Sequence, residues 1–144
     1  PSASLRSLLW GIDGIALIVG TALLALHHFR RGNDGVAAGF LVFVAGETLI
    51  LAASGMDLAA GAPGFGAGAG LWAASLILVS APKVMPSWVR AVAVVGAVLL
   101  GVVALQIFMA RPLTALSRPL PFFAYPFLAA TLVGWALQHF REAA

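Results

Sequence analysis

The chain is a succession of long apolar runs separated by short polar segments, and this pattern restricts the fold more than any other feature. Residues 36–57 show it best, because Glu47 is the only ionisable side chain in the run before its last residue. A helix needs about 20 mostly apolar residues to cross the hydrocarbon core of a bilayer. We therefore expect an all-α integral membrane helical bundle, with the lipid bilayer as its surroundings.

Composition supports this class. The 144 residues are 62% hydrophobic and 9% charged, whereas a soluble domain has about 25% charged residues. We expect one transmembrane domain over residues 1–144. The eight basic residues are scattered between the apolar runs, which is typical of membrane loops and not of a nucleic-acid-binding surface. The absence of cysteine excludes disulfides, thiolate metal sites and thiol catalysis.

Five transmembrane helices are predicted. They cover residues 8–29, 36–57, 65–81, 88–110 and 122–140. The first run contains Asp13 and ends in basic residues, which favours a retained helix over a cleaved signal peptide. Residues 59–70 are rich in glycine and predict a loop that leads into the third helix, so the count falls to four if that helix is re-entrant. Residues 111–121 contain three prolines and predict an interfacial loop.

Loop charges give an orientation. With five crossings, five basic residues fall on one side and three on the other, the two sets being Arg30, Arg31, Lys83, Arg90 and Arg141, and Arg6, Arg111 and Arg118. By the positive-inside rule, the N-terminus lies outside and the C-terminus in the cytoplasm. We expect a location in the bacterial inner membrane.

Two acids occur within the first two predicted spans. An ionisable group near the middle of a span costs roughly 2.5–3.5 kcal/mol on insertion scales, so Glu47 is a candidate functional residue. Antiparallel helices with a rise of about 1.5 Å per residue place Asp13 at a similar depth. Two such acids do not both ionise in a low dielectric, so at least one should hold a proton. The alternative is a neutral Glu47 bonded to a local polar group, with Asp13 reaching interfacial water.

Helical spacing adds further candidates to this ligand or proton site. Phe43 and Ser54 share the Glu47 face of the second helix, and phenylalanine rings would support a cationic ligand. Pro126 interrupts the hydrogen bonds of the fifth helix, where Tyr125 supplies a polar group, and Gln106 supplies another from the fourth helix. The same residues also fit ordinary core packing and an aromatic belt at the membrane interface.

Three histidines form a second candidate site. His27, His28 and His139 fall near the ends of the first and fifth predicted helices, on one side of the membrane. Imidazoles on neighbouring helices could ligate haem or a divalent metal. Their arginine neighbours favour the alternative of interfacial hydrogen bonding. No cofactor is required by the sequence.

Motifs of soluble enzymes do not occur in the sequence. It contains no phosphate-binding glycine loop, no histidine–acid metalloprotease motif and no serine elbow. We therefore expect a small binding or transport protein that takes a cationic or proton-coupled ligand at Glu47, in a homo-oligomer. The alternative is a structural or accessory subunit of a larger membrane complex. A weaker alternative is a haem- or quinone-binding redox protein.

Overall fold

The protein is a bundle of five α-helices in a computed structural model that describes residues 2–109 and 120–143. The helices are α1 (Ala3–Arg30), α2 (Asp34–Ser54), α3 (Leu58–Ser80), α4 (Ser87–Phe108) and α5 (Leu120–Ala143). The described residues contain no strand. The predicted all-α fold with five helices is confirmed.

Four of the described helices, α1 to α4, are long and apolar enough to cross a membrane by length and composition. The integral membrane class is supported by these four helices together. The fifth helix is not among them. It has 24 residues, contains Pro126 and ends in polar side chains.

The prediction of a loop over residues 59–70 is wrong, because α3 is a continuous helix of 23 residues that begins at Leu58. The carboxylate of Asp57 caps the helix by accepting hydrogen bonds from the backbone N–H groups of Ala59 and Ala60. Glycine has a low helix propensity in water, but here close packing on α2 stabilises the glycine-rich part. The helix is therefore long enough to cross the bilayer, as the prediction of five spans requires, and the re-entrant alternative is not needed.

Consecutive helices pack side by side, in the pairs α1–α2, α2–α3, α3–α4 and α4–α5. Short connections between the first four helices make these neighbours antiparallel, as in an up-and-down bundle. The closest approach joins α2 and α3, where a methyl group placed on Gly68 would lie 2.9 Å from the Gly46 carbonyl oxygen. Small residues permit this approach, which is how helices gain packing energy in lipid.

Helix ends at one face of the bundle are held by specific contacts. Gly32 adopts a positive φ of 72° after the last turn of α1, a conformation that glycine adopts at little cost. The guanidinium of Arg90 donates a hydrogen bond of 2.6 Å to the Ser80 carbonyl oxygen at the end of α3.

The predicted loop charges Arg111 and Arg118, and the predicted interfacial loop as far as residue 119, lie outside the described residues.

Candidate functional site

Glu47 lies on the inner face of α2 and is only 4% exposed. Its Oε2 atom has no hydrogen-bond partner among the described residues. The described salt bridges involve a different acid, Glu142. The carboxyl group therefore sits in the protein interior with unused hydrogen-bonding capacity, which is costly for a buried polar group.

Gly14 is the part of α1 that faces this carboxyl group. A methyl group placed on Gly14 would lie 3.3 Å from Glu47 Oε1 and 3.0 Å from Leu51 Cδ1. The missing side chain lets α1 approach the acid closely. Asp13, the residue before Gly14, is exposed. The two acids thus lie at the same level of the bundle, but Asp13 is on the flank of α1 and not directly opposite Glu47.

A polar cavity of about 520 Å³ opens above the acid, between the start of α1 and the end of α2. Its lining includes Arg6, Trp10, Gly11, Leu51, Ser54 and Gly55. We call this cavity the vestibule. Leu51 lines the vestibule and also contacts the Gly14 position, so it separates the vestibule from Glu47. Ser54 belongs to the vestibule wall, where its hydroxyl group donates to the Leu51 carbonyl oxygen at 2.7 Å.

A column of aromatic rings fills the bundle beside the acid. Phe43 is fully buried and stacks on Trp72, with ring centroids 5.7 Å apart. Trp72 in turn meets Tyr125 edge to face at 6.2 Å. On its other side Phe43 meets Trp135 at 5.8 Å, and Trp135 meets Phe40 at 4.9 Å. Rings at these separations attract one another beyond simple burial, so the column stiffens the wall next to Glu47.

The two predicted site residues on α4 and α5, Gln106 and Tyr125, lie in different surroundings. Tyr125 joins the column through Trp72 and is half-buried. Gln106 is half-buried on α4, a helix whose backbone does not pack against α2. The structure therefore brings Tyr125 to the aromatic wall, whereas a role for Gln106 stays a prediction. Pro126 lies inside α5 and leaves the Phe122 carbonyl without its helical N–H partner.

The three histidines meet at the other end of the bundle. Their ring centroids lie 5.1–5.5 Å apart. His28 Nε2 and His139 Nε2 are 2.9 Å apart, and His139 Nδ1 donates to the Trp135 carbonyl oxygen at 2.6 Å. This network assigns the proton of neutral His139 to Nδ1, so its Nε2 accepts a hydrogen bond from His28.

Glu142 closes the same end by linking α5 to α1. It accepts hydrogen bonds from Gln138 and from the guanidinium of Arg31, and His27 Nε2 lies 3.8 Å from it. The hydrogen bond from Gln138 lowers the pKa of Glu142, and the hydrogen bond and charge of Arg31 lower it further, against an opposing effect of burial. The carboxylate is therefore ionised at neutral pH.

A metal or haem role for the histidines gains no support from this geometry. Among residues 2–109 and 120–143, no group of three or more His, Cys, Asp or Glu side chains is arranged to hold a metal ion. The Nε2 atoms of His28 and His139 are engaged with each other. Ligation by these residues stays a prediction.

Some residues of the site were missed by sequence reasoning. Gly14 was not identified as the residue that faces Glu47, and Trp72 was not identified as the centre of the aromatic column. Four-residue spacing of small side chains marks helix surfaces that can pack closely, but it does not say which partner atom faces each glycine. No pattern along α3 indicated that the Trp72 ring stacks on a phenylalanine of α2.

No protein family, curated protein or solved structure matches the chain. The chemistry of the site must therefore be argued from its own residues.

Proposed function

We propose that the protein binds a cationic or proton-bearing small ligand within the membrane, with Glu47 as the residue that carries the charge or the proton. The observation that supports this most directly is the buried carboxyl group whose Oε2 has no partner among the described residues. A buried acid of this kind can be satisfied by a proton or by a cation. Exchange of one for the other would couple ligand binding to proton release.

The vestibule supports the same proposal, because it leads from one face of the bundle towards the acid. Leu51 is the side chain that intervenes, and its terminal carbons lie next to Gly14. A change of the Leu51 rotamer would open a path to Glu47 without movement of the backbone. Trp10 at the rim offers an exposed aromatic face for a cation.

The test is binding of tetraethylammonium to the purified protein in nanodiscs, measured by calorimetry. We expect Glu47→Gln to weaken binding at least tenfold, since two opposite unit charges about 5 Å apart attract by roughly 3 kcal/mol at an effective dielectric constant of about 20. Asp34→Asn is the matched control, because it removes one carboxylate from an exposed position at the start of α2. Equal affinity of Glu47→Gln and the unchanged protein would reject the proposal. Transport is tested separately, by flux of the same ion into liposomes.

An accessory role in a larger membrane complex is the second candidate function. It is favoured by α1, whose apolar window is only 17% buried, against 50% for α2. Large apolar side chains cover its outer face, including Ile12, Ile15, Val19 and Leu23. Since the chain has no cysteine, Ile15→Cys gives a single cross-linking position on this face. A cross-linked dimer in native membranes would favour a homo-oligomer, and a cross-link to one defined other chain would favour the subunit role.

A further inference from the structure

A second cavity, of about 460 Å³, lies between α1 and α5. The backbones of these two helices do not pack against each other, so the space between them is bridged only by side chains. Its walls include Leu17, Gly20 and Leu24 of α1, and Leu132, Trp135 and His139 of α5. We call this space the crevice. Its volume is within the range of about 300–1,000 Å³ that small-molecule sites occupy.

The crevice opens to the outside of the bundle. Leu23 and Phe140 belong to its lining and are 62% and 75% exposed, whereas Thr21 and Trp135 form a floor that is 4% and 1% exposed. The Thr21 hydroxyl group is satisfied by the Leu17 carbonyl oxygen at 2.6 Å. The exposed rim of a helix in lipid faces acyl chains, so this opening admits molecules from the bilayer.

Contacts between α1 and α5 fix the level of one helix against the other. The pairs His28–His139 and Arg31–Glu142 are both separated by 111 residues. The two helices run in the same direction with the same rise, so this offset places Tyr125 level with Gly14. Gly14 in turn faces Glu47. The level of the acid is therefore within about one turn of Ala16, the first α1 residue in the crevice wall, and about 21 Å along the helix axis from His28 at the lower end.

Asp13 is aligned with the crevice as well. It precedes the lining residues Leu17 and Gly20 by four and seven residues, and these spacings put all three side chains on one face of α1. Asp13 is exposed on that face. Two carboxyl groups, Asp13 and Glu47, therefore stand near the upper end of an otherwise apolar space. Neither is in a salt bridge among the described residues.

The lower end carries basic side chains instead. Arg31, which contacts α5 there, is paired with Glu142, and Arg30 and Arg141 are exposed at the same end. The two ends of the apolar space therefore differ in charge, with the acids at the upper end. A positive head fits Asp13 and Glu47, because neither acid has a salt-bridge partner among the described residues.

We propose that the crevice binds the apolar body of a lipophilic organic cation, with its nitrogen at Glu47 and Asp13 and its chain lying along the groove towards His139. The inference rests on the proposed function and specifies its ligand class. Such a ligand enters from the bilayer through the open side of the crevice. The vestibule then serves the exchange of protons or water at Glu47.

The experiment uses a decylammonium probe with a photoreactive diazirine at the end of its chain, added to the protein in nanodiscs. We expect the label on crevice residues near the lower end, such as Leu24 and Ala136, and we expect Glu47→Gln to reduce labelling at least fivefold. Gly20→Leu should reduce it to a similar degree by filling the groove. A methyl group on Gly20 meets no atom within 4 Å, so this variant should still fold.

Two further variants sharpen the test. Ala136→Leu fills the groove from the opposite wall, so its effect should match that of Gly20→Leu. Gly35→Leu is the control, since Gly35 is equally open but lies at the start of α2, away from the crevice. Label confined to the vestibule, or labelling unchanged by both groove-filling variants, would overturn the crevice assignment. In that case Glu47→Gln could still abolish tetraethylammonium binding, so the proposed function and the crevice assignment can fail separately.

Discussion

At the scale of single residues, the position of Glu47 depends on one missing side chain. Gly14 allows α1 to lie against the carboxyl group and against Leu51. Any larger residue at position 14 must displace one of those two side chains. The glycine therefore sets how closely α1 can lie to the acid.

We predict that Gly14→Ala weakens tetraethylammonium binding about fivefold, which corresponds to roughly 1 kcal/mol. The added methyl group would lie 3.0 Å from Leu51 Cδ1 and 3.3 Å from Glu47 Oε1, so both must shift by a few tenths of an ångström. The cost lies at the low end of overpacking because the end of a leucine can move. Calorimetry on the nanodisc sample measures the effect.

Gly35→Ala serves as the control for that variant. Gly35 lies at the start of α2, outside the lining of the vestibule, and a methyl group there meets nothing within 4 Å. Its affinity should match that of the unchanged protein. If Gly35→Ala and Gly14→Ala bind the ion equally, Gly14 does not position the acid.

At the scale of the helices, α3 shows how packing overrides local propensity. Gly61, Gly64 and Gly68 lie against α2, and Gly66 and Gly70 lie against α4, so these glycines form the contact surface of α3. Asp57 caps its first turn. The helical glycines cost about 1 kcal/mol each relative to alanine in water. In lipid, close backbone contact and internally satisfied hydrogen bonds offset this cost.

Gly68→Ala should lower the free energy of unfolding by about 1–3 kcal/mol, the usual range for overpacking. The new methyl group would lie 2.7 Å from Ile50 Cγ1 and 2.9 Å from the Gly46 carbonyl oxygen. The carbonyl is backbone, so relief requires α2 and α3 to move apart. Unfolding by sodium dodecyl sulfate in mixed micelles gives the difference, with Gly35→Ala as the unstrained comparison. Equal stability of the two variants would show that the α2–α3 contact is not close-packed.

At the scale of the whole molecule, the bundle is closed by side chains at one end. The backbones of α1 and α5 stay apart, and the pairs His28–His139 and Arg31–Glu142 connect them. The width of the crevice therefore depends on polar contacts at its lower end. A change of charge at these contacts would therefore alter the width of the crevice.

Acidification should weaken this closure. The folded protein holds the pKa of Glu142 below its ordinary value of 4.5, so the ionised carboxylate stabilises the folded state above that pH. The contribution is lost as the pH falls through the lower pKa of the folded state. We expect Glu142→Gln to lower the melting temperature slightly at pH 7, since the carboxylate is partly exposed and screened by solvent.

The difference between the two proteins should shrink as the pH falls from 4.5 through the lower pKa of Glu142 in the folded state, because below that pKa neither protein carries the charge. Thermal unfolding in detergent across this pH range measures the two curves. A difference that stays constant with pH would show that the Glu142 charge does not stabilise the folded state.

The apolar runs determined the class of the protein by themselves, because a chain with so little charge can satisfy its backbone in lipid only within regular structure. Length and hydropathy predicted five spans, and four of the described helices are long and apolar enough to cross a membrane. The glycine-rich start of α3 was mispredicted, since its helical state depends on contact with α2. The unusual position of Glu47 could also be recognised from the sequence, because an acid inside an apolar run raises the free energy of membrane insertion whatever the fold.

Only the tertiary structure decided what surrounds that acid. Helical spacing gives the face of a residue but not the rotation of its neighbours, so it could not distinguish Asp13 from Gly14 as the residue opposite Glu47. The stacking of Phe43 on Trp72 and the pairing of His28 with His139 join residues far apart in the chain. Such contacts depend on how five helices fill their shared volume, which is a property of the assembled bundle and not of any one segment.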